Sequence, residues 1–141
     1  MNITEDLIRL DQSFSDKNDA IKLAGQLLVD QGLVDEGYIE QMILRDDDVS
    51  TFMGNYIAIP HGTSDSKDMI KASGISIVQV PDGVEFSGNL VTVVFGIAGK
   101  DGEHLDLLSQ IAILCSDIAN VQKLADANSK EAILTLLQGG Q

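Results

Sequence analysis

The chain has 141 residues and a mass of 15.1 kDa, the size of one domain that can bury a stable core without covalent staples. Nine basic residues stand against 22 acidic ones, and the resulting charge of −13 repels phosphate backbones and anionic lipid, which sets aside nucleic acid and a polybasic membrane contact. One cysteine excludes an internal disulfide and a four-cysteine zinc site, no apolar run approaches ~18 residues, and Met1-Asn2-Ile3-Thr4-Glu5-Asp6 lacks the basic-then-apolar form of a signal peptide, so a cytoplasmic single domain over residues 1–141 is expected.

Ser15-Asp16 precedes a helical pattern from Asp19 to Gln31, with Ile21, Leu23, Ala24, Leu27 and Leu28 on one face and Gly32 as its stop. Asp35 is the expected N-cap of a second helix, with Tyr38, Ile39, Met42 and Ile43 on its apolar side. That helix is expected to end near Asp46-Asp47-Asp48, because adjacent carboxylates oppose a helix C-terminus. Tyr56-Ile57-Ala58-Ile59 is a short β-like run ended by Pro60, and Gly74–Val80 reads as a strand. Pro81-Asp82-Gly83 reads as a hairpin turn. Leu90–Ala98 is an almost continuous apolar run, the pattern of a central strand covered on both faces. Helices return from Glu103 to Ala119, Val121 to Ala127 and Ser129 to Leu137, and Cys115 on the first of them reads as a buried core thiol. Helices at both ends with strands between predict an α/β fold: a mixed, mostly parallel central sheet sandwiched between helical layers. No apolar stripe is left over by these assignments, so the chain is expected to be a monomer.

Chemistry-bearing residues are few. His61 follows a β-like run and Pro60 and precedes Gly62-Thr63-Ser64, at the carboxyl end of a strand, where open α/β sheets place ligand groups. Gly62 allows close approach of a ligand, and the N–H groups of Gly62, Thr63 and Ser64 form a candidate anion cradle. The plainer alternative is a strand-end histidine with no task. His104, in Gly102-Glu103-His104-Leu105, follows the long central strand, so it is either a solvated histidine at a helix start or one of two histidines at equivalent strand ends that face one another. Arg45, before the acid triplet, is either a surface ion-pair partner or a guanidinium that reaches an anion beside His61. No P-loop, Rossmann glycine pattern, HExxH or GxSxG occurs. A metal site built from both histidines lacks any i, i+3 or i, i+4 pairing.

Gly54-Asn55-Tyr56-Ile57-Ala58-Ile59-Pro60-His61-Gly62-Thr63 closely resembles the active-site segment of enzyme IIA components of the phosphoenolpyruvate-dependent sugar phosphotransferase system, mannitol/fructose class. Ile39–Arg45, Lys67–Lys71 followed by Gly74–Val84, and Gly96-Ile97-Ala98 with Glu103-His104-Leu105 extend the resemblance over nearly the whole chain. The resemblance implies a mixed sheet between helical layers. It implies that His61 is phosphorylated by the histidine-containing phosphocarrier protein, and that His104 and Arg45 line the site and stabilise the phosphorylated state. It further implies transfer to a cysteine of a cognate IIB component, indirect membrane association through IIC, and no cofactor or metal. Pro60–Thr63 and the segments around 67–84 look most like the mannitol branch. Fructose-type and nitrogen-regulatory relatives share the histidine, so the alternative is a phosphorylation-dependent binding module that moves no sugar. The acidic surface is expected to favour partners carrying basic residues.

Overall fold

The computed structural model describes residues 3–139. A 3₁₀ turn at Glu5–Leu7 leads into strand β1 (Ile8–Arg9). Helix α1 (Lys17–Asp30) begins where the Asp16 carboxylate accepts the Asn18 N–H. It ends as expected on Gly32: at φ 71° this residue donates to Val29 O while Leu33 donates to Leu28 O, so the left-handed residue satisfies the last carbonyls. Helix α2 (Tyr38–Asp48) starts later than the Asp35 cap predicts. Asp35 is committed elsewhere, its N–H to Met69 O and its carboxylate to Lys71 at 3.2 Å.

Phe52–Gly54 forms β2, a strand that its short string does not announce, and β3 is only Ile57–Ala58. Tyr56 drops out of the expected strand because Asn55 and Tyr56, at φ 48° and 66°, make the left-handed turn between the two. A 3₁₀ turn over Ser64–Met69 precedes β4 (Gly74–Phe86), which pairs with β5 (Asn89–Ala98). The expected turn at 81–83 is a bulge: register shifts between Gln79 and Val84, the strand continues to Phe86, and the chain reverses at Ser87-Gly88. Both reversing residues have positive φ, 52° and 85°, the backbone twist a two-residue hairpin requires.

The sheet order is β1-β4-β5-β3-β2. It is mixed, as expected, but its parallel share is half: β1–β4 and β3–β5 run parallel, while β4–β5 and β2–β3 run antiparallel. The antiparallel share rises because sequence-adjacent strands joined by two-residue loops can only pair antiparallel. The three expected C-terminal helices are present, but the first, α3 (His104–Cys115), ends sooner than Ala119 and the second, α4 (Ile118–Asp126), starts sooner than Val121, because Asp117 takes an extended backbone and caps the Ala119 N–H. Helix α5 (Lys130–Gly139) follows.

Alternation along β5 divides the interior. From Val93 onward, Val94 and Ala98 face α1 and α2 while Val93, Phe95 and Ile97 face α3, α4 and α5; Val91, before an irregularity at Thr92-Val93 where both N–H groups donate to Tyr56 O, lies in the first layer. Helices therefore cover both faces, and Cys115 is buried in the second layer as expected, where burial pushes its thiol up to about 12. Gly96 has a packing reason: a Cβ there would meet Ser76 Oγ at 2.4 Å and Ala24 Cβ at 3.1 Å, so glycine lets α1 lie close on the sheet. An apolar remainder does exist, since α3 leaves Leu105 and Ile113 exposed. Among the described residues no helix is long and apolar enough to cross a membrane.

Candidate functional site

Strand β3 delivers the Ile59-Pro60-His61 segment to the edge of a cleft. Ile97 N–H donates to Pro60 O at 3.0 Å, and His61 forms a parallel bridge with Ile97, so the backbone at His61 is an extension of the sheet. The end of β5 turns through Gly99 and Gly102 to His104, the first residue of α3. A Cβ on Gly99 would fall 2.4 Å from the Cα of His104, so only glycine lets the loop fold onto the helix start. The last turn of α2 carries Arg45.

These elements bring all three sequence-predicted residues together. Arg45, His61 and His104 line one cleft of about 840 Å³, with Lys67 and Lys100 also on its wall. The imidazole centroids of His61 and His104 are 4.8 Å apart, with the rings inclined at 60°. Three of the nine Lys and Arg residues of a strongly acidic chain, Arg45, Lys67 and Lys100, meet here against two carboxylates, Asp68 and Asp101, so the lining keeps a small positive excess.

The half-buried His61 has distinct nitrogens. Nδ1 lies 2.8 Å from Ile59 O, and since a carbonyl only accepts, Nδ1 carries the proton. In the neutral ring Nε2 then holds the lone pair. Burial lowers the pKa of His61 and outweighs the Ile59 bond, which acts the other way; the charges of His104 and Arg45 add to the lowering and Asp46 opposes it. His104 is lowered by burial and then by Lys67 and Arg45. The lowered pKa of each ring favours the neutral form at neutral pH, one with its lone pair on Nε2 and the other able to donate a hydrogen bond.

Arg45 rests on its own helix end, Nη1 donating to Val49 O at 2.7 Å, half-buried beside the cleft. The next residue fixes this turn. Asp46, 2 % exposed, accepts from Lys17 of α1, from Thr51 Oγ1 at 2.6 Å and from Thr51 N–H at 2.8 Å. Burial opposes its ionisation, but the Lys17 and Thr51 bonds prevail and hold its carboxyl below the usual range. Lys17, which pairs with both Asp46 and Asp47, thus offsets the repulsion that the acid triplet brings to the end of α2.

The expected anion cradle at 62–64 is different from the arrangement found. Gly62 N–H is taken by the Tyr38 hydroxyl at 2.9 Å. The close approach its missing Cβ permits is to the Tyr38 ring, whose Cε1 would lie 2.4 Å from that Cβ. Tyr38, Lys67 and Lys100 are the cleft residues that sequence reasoning missed as functional groups. Tyr38 sits on an apolar helical stripe, and nothing local marks its hydroxyl; the two lysines look like ordinary surface charges. Among the described residues no group of three or more His, Cys, Asp or Glu side chains is placed to hold a metal ion.

The arrangement suits acceptance and release of a phosphoryl group: a neutral nitrogen nucleophile, a second imidazole in reach, and cations for the equatorial oxygens. Comparison with known proteins points the same way. The family described as phosphoenolpyruvate-dependent sugar phosphotransferase system, EIIA 2, matches residues 1–139. The mannitol-specific phosphotransferase enzyme IIA component of Bacillus subtilis (strain 168) is 53% identical over 135 residues, covering 95% of this chain and 94% of the relative. The crystal structure of IIA mannitol from Escherichia coli superposes with a TM-score of 0.91 at 31% identity, over 97% of this chain and 99% of that one. Enzyme IIA mannitol in its complex with phosphorylated enzyme IIB mannitol, also from Escherichia coli, superposes at 0.93 with 30% identity and 98% of each chain.

Proposed function

The chain belongs to the EIIA 2 family of the phosphoenolpyruvate-dependent sugar phosphotransferase system, and from that premise we propose that residues 1–141 act as one phosphohistidine carrier in mannitol uptake. The neutral Nε2 of His61 attacks phosphorus on the phosphohistidine of the histidine-containing phosphocarrier protein. A P–N bond forms at His61 as the donor's P–N bond breaks, and the donor imidazole leaves neutral. In the second step a cysteine thiolate of a cognate IIB component attacks, an S–P bond forms, and the pair of electrons returns to Nε2. Arg45 swings from Val49 O to the transferring oxygens, and His104 donates to them from the opposite wall. No protein cofactor takes part, and IIC provides the membrane contact of the assembly.

The observation that carries this reading is the hydrogen bond from His61 Nδ1 to Ile59 O, 2.8 Å, in a ring that stands 4.8 Å from His104. The bond selects one tautomer before the donor arrives and holds the phosphorylated ring in place afterwards. The names of relatives above 50% identity support mannitol as the sugar, and the complex formed by the Escherichia coli neighbour supports IIB as the acceptor.

Intact mass after incubation with phosphoenolpyruvate, enzyme I and the phosphocarrier protein tests the first step. Wild type gains one acid-labile phosphoryl group and His61→Ala gains none; wild-type acceptance by His61→Ala would refute the assignment. Mannitol uptake restored in a strain lacking its own IIA tests the sugar. Phosphorylation without uptake, given a matched IIB, would favour a regulatory module.

A further inference from the structure

The ladder between the His61 segment and β5 is completed by a side chain. In a parallel bridge between His61 and Ile97, Ile97 N–H donates to Pro60 O and Gly62 N–H should return the bond to Ile97 O. The first bond is made directly, at 3.0 Å. The second passes through Tyr38: Gly62 N–H donates to Tyr38 Oη at 2.9 Å, and that hydroxyl donates to Ile97 O at 2.9 Å. The hydroxyl thus links the two backbone groups immediately after His61, beside the cleft, and satisfies both.

Three further features favour this relay. Tyr38 is 2 % exposed, so its ring is held by the core and its hydroxyl meets these two backbone partners. Gly62 has no Cβ, and any other residue would collide with the Tyr38 ring and with Ser66 Oγ, both at 2.4 Å. Finally, Tyr38, Met42 and Arg45 lie at i, i+4 and i+7 of α2, so one helix face carries the hydroxyl under His61 and the guanidinium beside it. Burial raises the pKa of Tyr38, against the opposing effect of the Gly62 bond, so the phenol stays protonated and able to donate.

We propose that Tyr38 is a positioning residue for phosphoryl transfer: its hydroxyl, set between Gly62 and Ile97, fixes the tilt of the His61 ring and the gap between His61 and His104. It acts through the backbone of both segments, because Ile97 belongs to the strand that leads to His104. The catalytic part of this inference rests on the phosphocarrier reading above; the geometric part does not.

Tyr38→Phe removes one oxygen and keeps the ring. Three measurements on wild type and variant decide the matter: imidazole ¹⁵N shifts of His61 against pH, hydrogen exchange at the Gly62 amide, and steady-state phosphorylation by the phosphorylated carrier protein. In wild type, His61 shows a single Nδ1–H tautomer and the Gly62 amide is protected to the degree of Ile97. In Tyr38→Phe, His61 shows mixed tautomers, Gly62 exchanges as an open loop amide, and kcat falls by about tenfold or more with KM within about twofold, the signature of misplacement. A folded variant with wild-type tautomer and kcat overturns the proposal, even if its Tm is lower. Should the variant not fold, rapid exchange of Gly62 in wild type overturns it and protection supports it. If wild type accepts no phosphoryl group at all, the phosphocarrier reading fails, while the tautomer and exchange results still decide the role of Tyr38.

Discussion

Two nitrogens of one imidazole meet different surroundings in His61, and that difference is the residue-scale basis of the site. Nδ1 is bound to a backbone carbonyl two residues back in the same chain, and that bond selects the tautomer. In the proposed transfer Arg45 contributes charge and His104 a donor, and we expect their removal to act on different quantities. Loss of His61 should abolish acceptance. His104→Ala should still accept a phosphoryl group but pass it on about 10²-fold more slowly, measured as transfer to IIB by quenched flow. Asp46 illustrates a residue whose effect is structural. Asp46→Ala leaves both Thr51 donors without their acceptor and Lys17 with only Asp47, and should destabilise the fold by about 2–3 kcal/mol in urea unfolding, below the usual figure for a fully buried pair because Lys17 is partly solvated and keeps a second carboxylate.

At the scale of elements, boundaries are decided by single polar contacts. The break between α3 and α4 depends on Asp117, whose carboxylate accepts the Ala119 N–H at 2.9 Å. Asn55 Nδ2 donates to Cys115 O at 2.9 Å and so satisfies the carbonyl end of α3 from the β2–β3 turn. Asp117→Ala should lower stability by about 1 kcal/mol, read from the shift of the urea midpoint at unchanged slope. The Ser87-Gly88 reversal is similar in kind. Gly88 sits at φ 85° with open space around the position of a Cβ, so Gly88→Ala should cost about 1 kcal/mol through backbone strain alone, with no clash.

The whole molecule couples these parts through charge and pH. Both site histidines have folded pKa values below 6.5, so between about pH 6.5 and those lowered values the unfolded chain binds more protons than the folded one. Their contribution to stability is complete above pH 6.5 and is lost as pH falls through the folded values. The stability difference between wild type and His61→Gln should therefore change with pH below 6.5 and stay constant above it; a constant difference throughout would contradict the lowered pKa. A formal charge of −13 surrounds a cleft where Arg45, Lys67 and Lys100 outnumber Asp68 and Asp101, so the field is negative overall and weakest at the cleft. Association with a carrier protein that presents basic residues should slow as ionic strength rises, measured by stopped flow.

Much of this was legible from residue order alone. Periodic apolar positions marked α1, α2 and the buried strand β5, and the scarcity of histidine and arginine singled out His61, His104 and Arg45, which the fold brings to one cleft. Those features are local: a stripe or a strand-end histidine is written within ten or so residues. Pro81-Asp82-Gly83 looked like a turn because its composition is that of a turn, yet continued pairing with β5 made it a bulge and moved the reversal to Ser87-Gly88. The halves of the sheet, parallel and antiparallel, followed from which strands met. Tyr38 shows the limit most clearly. Its place on an apolar stripe correctly announces burial, but its hydroxyl partners lie 24 and 59 residues away. A hydrogen bond between such distant segments has no local pattern to reveal it, and only the packing of α2 beneath the sheet edge decides that this phenol holds the histidine segment in place.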